Sequence, residues 1–187
     1  NITGLNALHQ GVELDFIYKP IEDLDVRGML SLGDWTWTDD VVADLFDNQQ
    51  QFVATAEVYA GGLHVGDAAQ TTAAVGFDYE VLPRFKVGMD FNHYDRLYSF
   101  FDVENRGDIK QKGVDAWELP SYQLLDFSVR YDFKNGTQKA SIFGKVNNIL
   151  DTAVIRDATD GATHDYRTAM VYYGAGRTWS MSLRVKF

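Results

Sequence analysis

Cysteine is absent from the 187 residues, which excludes disulfides, thiol catalysis and cysteine-ligated zinc. Proline occurs only three times, so little interrupts extended backbone. No apolar run approaches the roughly 18 residues of a spanning helix, and the mean hydropathy is slightly negative at −0.25. Cations are in the minority, 17 Lys and Arg against 27 Asp and Glu, for a net charge of −10. Nucleic-acid binding needs clustered cations to replace phosphate counterions, so that class is set aside. There is no Gly-x-Ser-x-Gly elbow, phosphate loop or His-Glu-x-x-His, so no catalytic residue is assigned and the chain is not read as an enzyme. His9, His64, His93 and His164 lack zinc spacing, so no metal site and no cofactor are assigned.

What is present is alternation. Aromatics make up 14% of the chain, and apolar residues tend to fall at every second position, the pattern of a strand with two different faces. About seven segments show it: 11–19, 24–38, 70–82, 85–97, 122–133, 139–150 and 179–187. In the first, Val12, Leu14, Phe16 and Tyr18 oppose Glu13, Asp15 and Lys19, with residues 5–10 as an extension. In the second, Trp35 and Trp37 fall out of phase with Leu24, Val26, Leu30 and Leu32, which predicts a bulge near Gly33 or a change of environment. In the last, Trp179, Met181, Leu183, Val185 and Phe187 alternate with Ser180, Ser182, Arg184 and Lys186.

The connections are of two kinds. Short turns are expected near 20–23, 82–84 and 134–137, the last with an Asn-Gly pair, and long loops near 38–69, 98–121 and 151–177. All the long ones fall at one end, as in outer-membrane barrels with tight periplasmic turns and long outer loops. A soluble antiparallel sandwich is the competing architecture, and it predicts shorter, more uniform connections. Tyr18, Tyr79, Phe85, Tyr131 and Phe133 near strand ends fit an interfacial girdle. The fold class is therefore all-β, an antiparallel transmembrane barrel occupying residues 1–187. An odd strand number cannot close a bacterial barrel, so earlier strands are expected upstream, in keeping with a start at Asn1 and no leader.

The stretch Val146-Asn147-Asn148-Ile149-Leu150-Asp151-Thr152 resembles the penultimate-strand motif of TonB-dependent outer-membrane receptors, with Ile-Leu where Leu-Phe is commoner. Gly176-Arg177-Thr178-Trp179 leading to Phe187 resembles the start of that family's last strand, and His9 to Leu14 is similar to one of its barrel strands, in the style of Bacteroidota members. The resemblance implies the last seven strands of a barrel of about 22, with a plug domain and TonB-contacting box further upstream. It implies the bacterial outer membrane and active import of a scarce nutrient, a ferric siderophore or another large ligand. The implied partners are outer-membrane lipid, the plug, the TonB complex through the absent N-terminal region, and the barrel-assembly machinery. Trp179, Met181, Leu183, Val185 and Phe187 match the signal by which that machinery takes up its clients, through strand addition. Two other readings compete: a small non-transporting adhesin or structural barrel, and a fragment captured as an assembly client.

The candidate ligand loops carry Trp35, Trp37, Asp39, Asp40, His64, Tyr98 and Trp117. Asp34, Asp39, Asp40, Asp44 and Asp47 could form a calcium-binding lip, although no EF-hand spacing is present and a solvated acidic loop is the plainer reading. The same two readings apply to Asp157 and Asp160. His93 falls in the apolar phase. The charged phase, including Asp78, Asp90, Arg130, Lys145 and Arg184, reads as a wet wall.

Overall fold

The computed structural model describes residues 4–135 and 138–186. β-branched and aromatic residues at alternate positions hold the backbone extended, because their side chains pack on a pleated surface. The strands, in chain order, are β1 (Ala7–Ile21), β2 (Leu24–Trp37), β3 (Val41–Phe46), β4 (Phe52–Val58), β5 (Ala69–Leu82), β6 (Phe85–Tyr98), β7 (Glu118–Leu119), β8 (Tyr122–Asn135), β9 (Gln138–Asn147), β10 (Ile155–Thr159), β11 (Met170–Tyr173) and β12 (Thr178–Lys186). Seven of them form one antiparallel meander in the order β1-β2-β5-β6-β8-β9-β12. The seven expected segments are these seven strands, and β1 takes up the extension at its start. β1 and β12 are the two edges of the sheet.

Pairing keeps the two faces apart across the whole sheet. Leu14 lies opposite Leu30, Val26 opposite Phe77, Phe77 opposite Met89, Met89 opposite Phe127, Phe127 opposite Val146 and Val146 opposite Trp179. The other face carries charge: Arg27 bonds both Asp78 and Asp90, Lys145 bonds Asp126 at 3.1 Å and Lys86 lies 3.5 Å from Glu80. Nothing covers the apolar face among the described residues. Val12 and Leu14 are 62% and 63% exposed and Met181 is 77% exposed. Stacked sheets, the arrangement of a sandwich, would have buried them. Among the described residues no helix is long and apolar enough to cross a membrane, which says nothing of strands.

Of the two explanations expected for Trp35 and Trp37, the bulge near Gly33 is not found: the β1–β2 register runs unbroken from Ala7 and Trp37 to Tyr18 and Val26. Trp35 and Trp37 simply stay on the charged face, where the environment changes near the loop end. The register shifts lie instead at the short turns, between Tyr18 and Ile21 and between Glu80 and Leu82. At the second, Arg84 adopts a left-handed φ of 68° and its N–H donates to Glu80 Oε1 at 2.8 Å. Of the Asn-Gly turn, Gly136 and Thr137 lie outside the described residues, as does Phe187.

The long connections are also more ordered than their acidity suggests. The first carries the β3–β4 hairpin, whose turn is held by Asp47 Oδ1 accepting from the N–H groups of Gln49 and Gln51, both at 2.8 Å. The second holds two single 3₁₀ turns capped by Asp102 and Asp108, then β7. The third holds the β10–β11 pair. Among the described residues, all buried hydrophobic ones belong to this loop end. One cluster is Ala43, Val58, Ala60, Leu63 and Phe101, and the other is Leu97, Leu119, Tyr122, Val154 and Ala158. The wall itself has no core. At the opposite end the apolar face bears a row of rings, with Phe85 6.4 Å from Tyr131 and Tyr131 4.5 Å from Phe133.

Candidate functional site

Among the described residues, the loop end is where the chain builds an enclosed polar arrangement. Trp37 on the charged face of β2 packs edge-on against Phe101 at 6.0 Å. Tyr94 and Tyr122, in the charged-face phase of β6 and β8, stack at 4.8 Å, and Val154, Ala158, Ile155 and Val171 of the third loop join their cluster. The loops therefore fold inward over the charged face.

Beside these clusters lies a node around His64. Its ring stacks on Tyr98 at 4.1 Å with an interplanar angle of 4°. Asp115 accepts from the His64 backbone N–H at 2.9 Å and contacts Nδ1. Nε2 lies 3.5 Å from Arg96 and 3.8 Å from Asp34. Arg96 in turn donates to the Gly33 carbonyl at 2.7 Å. The segment before β5 is docked by Gln70, whose buried carboxamide accepts from Trp35 N–H at 2.9 Å and donates to Trp35 O at 3.0 Å. A side chain thus continues the ladder where β2 runs past the end of β5.

Of the residues singled out from the sequence, His64 and Tyr98 come together, and Trp35 lies beside them, stacked on His9 at 5.2 Å. The others are placed apart and are engaged within the loops. Trp37 and Trp117 pack against the two clusters. Asp39 accepts from Asn6 at 2.9 Å and Thr38 at 2.8 Å. Asp40 accepts from Gly61 N–H at 2.9 Å and pairs with Lys112 at 2.6 Å. The Lys112 bond, with the Gly61 N–H, holds the Asp40 carboxyl below the usual aspartate range. The acidic stretch is thus spent on turns and caps, and among the described residues no three His, Cys, Asp or Glu side chains gather in metal-binding geometry.

One arrangement was invisible in the sequence. Arg106 and Asp160 pair at 2.8 Å with both side chains 0% exposed. His164 Nδ1 lies 2.8 Å from the same Asp160 oxygen, and the other oxygen accepts from Asp102 N–H at 2.9 Å. Arg106 also donates to the Val114 carbonyl, and its own carbonyl accepts from Tyr59 N–H at 2.9 Å. All three loops meet at one arginine: its guanidinium holds the second and third, and its backbone carbonyl holds the first. Burial pulls the Arg106 pKa down, and the neighbouring Asp160 opposes that shift.

The motifs near the C-terminus also meet. Asn148, at a left-handed φ of 51°, donates from Nδ2 to Thr152 O at 2.9 Å and accepts from Thr152 N–H at 3.0 Å. Asp151 accepts from Arg177 N–H at 2.8 Å, which ties the exit of β9 to the entry of β12. Trp179, Met181, Leu183 and Val185 line up on the apolar face of that edge strand, all exposed.

Comparison with known proteins agrees with this architecture. A solved structure that resembles the chain is the siderophore receptor PiuA from Acinetobacter baumannii, with a TM-score of 0.61 at 18% identity. The aligned region covers 97% of this chain and 22% of that one, so the chain spans about a fifth of the receptor's length, and the likeness at that identity speaks to fold alone. No curated protein sequence matches. Residues 4–149 match the family model described as TonB dependent receptor-like, beta-barrel. The chain belongs to the TonB-dependent receptor-like β-barrel family.

Proposed function

We propose that this chain forms part of the wall and three outer loops of a bacterial outer-membrane transporter, which captures a scarce nutrient and imports it with energy delivered through TonB. The observation that carries this reading is the uncovered apolar face. Each large side chain left in water forgoes roughly 1.5–3 kcal/mol, and a continuous patch of this extent is foreign to soluble monomers. Hydrocarbon removes that penalty, and a closed antiparallel barrel satisfies its backbone groups there. On this reading β1 and β12 meet further strands, a plug occupies the lumen, and the row of Phe85, Tyr131 and Phe133 marks the periplasmic interface.

The inward-folded loop end supports ligand capture. His64, backed by the buried ring of Tyr98, and Trp35, stacked on His9, place aromatic rings at the loop end of the polar face, suited to a large ligand with rings and polar substituents. The A. baumannii structure is named a siderophore receptor, which makes ferric siderophores the first ligand class to test. The assigned role is transport and not catalysis. β12 serves as the strand that the assembly machinery adds to its own sheet edge.

The test is uptake in the producing bacterium under nutrient starvation. Deletion of the gene for the full protein is expected to abolish TonB-dependent uptake of one labelled ligand among ferric siderophores, haem, cobalamin and glycans. A gene with residues 38–68 replaced by a short turn is expected to restore the folded protein but not uptake. Unchanged uptake of all four ligand classes after deletion contradicts the proposal.

A further inference from the structure

We infer that the open face of the β10–β11 pair in the third loop is a subsite for a neutral oligosaccharide. The inference rests on the transport function proposed above and names a ligand class within it. β10 and β11 lie over the charged face of the wall, because Ala158 and Val171 pack into the cluster that contains Tyr94 and Tyr122. Alternate residues of a strand point the other way. These are Asp157 and Thr159 on β10, with Tyr172 and Met170 opposite them on β11. That second face is left open, with Met170 62% and Tyr172 52% exposed. On the transport reading it looks into the lumen and not towards lipid.

The Tyr172 hydroxyl donates to Met170 Sδ at 3.2 Å, which holds ring and thioether side by side as one apolar shelf. Phe100, bridged to Thr159 and also exposed, extends the shelf onto the next segment. The C–H-bearing face of a pyranose packs on such a surface, its weakly positive hydrogens against the negative face of the ring. Beside the shelf Asp157 hydrogen-bonds Asp67 of the first loop. The backbone sets up that meeting: Asp67 N–H donates to Tyr98 O at 3.2 Å, and Phe100 N–H donates to Ala158 O at 2.7 Å, so both loops abut the end of β6. Partial burial, then the charge of Asp157, raises the Asp67 carboxyl above the usual aspartate range. Neither carboxyl has a cationic partner among the described residues, and Arg156, next in the chain, runs along Gly174. Carboxyl oxygens with free lone pairs accept from sugar hydroxyls. An anionic ligand meets like charge here, in a chain of net charge −10, and is disfavoured.

The experiment presents the full-length protein, in micelles, to an array of immobilised neutral oligosaccharides and their uronate- or sulfate-bearing counterparts. Binding to a neutral member is expected, with the anionic counterparts bound more weakly. Tyr172→Ala is expected to lower the affinity about tenfold, the scale of losing an aromatic anchor. Tyr172→Phe, which keeps the ring, is expected to retain most of it. Asp157→Ala, a second change on the same face, is expected to weaken binding as well, and heat-dependent gel mobility shows that each variant is folded. No neutral oligosaccharide bound, anionic members bound as well as neutral ones, or unchanged binding by folded Tyr172→Ala or Asp157→Ala overturns the subsite. Any of these results with TonB-dependent uptake of a siderophore, haem or cobalamin intact overturns the subsite alone. Uptake of every ligand class that is indifferent to deletion of the gene overturns the transport reading with it.

Discussion

Arg27 and Asp90 stand on strands that are not neighbours, yet guanidinium and carboxylate meet at 2.6 Å across the strand between them. The residue they cross is Gly76, which the register places opposite Arg27 on one side and Asp90 on the other. A Cβ on Gly76 would lie 2.2 Å from Asp90 Oδ1. The glycine is what lets one cation serve both Asp78 and Asp90 over the middle strand.

Gly76→Leu is therefore expected to break the Arg27–Asp90 pair and leave Asp90 facing Asp126. The groups are 40% and 33% exposed, so solvent screening limits the loss to about 1 kcal/mol. Denaturant unfolding in micelles measures it. Asp90→Asn is expected to cost less when combined with Gly76→Leu than alone, and equal costs in both backgrounds contradict the coupling.

Removing Arg106 is a harsher change. Arg106→Met leaves the buried Asp160 carboxylate with only His164 and the Asp102 N–H, at a cost of about 3–5 kcal/mol in local loop stability. Amide hydrogen exchange should rise at Tyr59, Asp102 and the residues around β10, with the wall strands unchanged. Combining Arg106→Met with Asp160→Leu should recover most of the protection, because it removes the stranded charge.

The link between Asp40 and Lys112 carries a pH dependence of known sign. The Asp40 carboxyl is held below its ordinary value, first by Lys112 and then by Gly61 N–H. A depressed acid favours the folded form above the ordinary aspartate pKa, and that contribution is lost as pH falls through the depressed value. The Gly61 amide shift in NMR should titrate below the usual aspartate range, and Lys112→Met should move the midpoint upward. A midpoint at the ordinary value in both proteins would falsify the assignment.

Asp151→Ala removes the acceptor that ties Arg177 N–H to the end of β9. The expected result is a lower fraction of folded protein, read from heat-dependent gel mobility, with greater exchange at Thr178 and Trp179. Leu150→Ala, at an exposed neighbour, should leave both unchanged.

The wall was legible in the sequence because a strand with two different surroundings writes them into alternate residues. Val12 to Tyr18 and Trp179 to Val185 could be read directly. The loops were less so. Val41 to Phe46 and Phe52 to Val58 alternate too, but the acidic residues among them read as a solvated or cation-binding stretch. Asp39, Asp40 and Asp47 serve backbone N–H groups and side chains nearby, a use that composition does not distinguish from metal ligation. Arg106 comes from a different loop than Asp160 and His164, so no spacing announces the buried pair. Glycines in the charged phase between opposite charges, as at Gly76, are a signal that could have been followed.

The central claim is that the apolar face meets hydrocarbon while the charged face stays wet. Spin labels on single cysteines introduced one at a time from Thr178 to Lys186, in a chain that has none of its own, test it in liposomes containing the full-length protein. Collisions with oxygen should dominate at Trp179, Met181, Leu183 and Val185, and collisions with a water-soluble nickel complex at Ser180, Ser182, Arg184 and Lys186. Equal shielding of the first set from both quenchers, or a pattern without a period of two, would contradict the account.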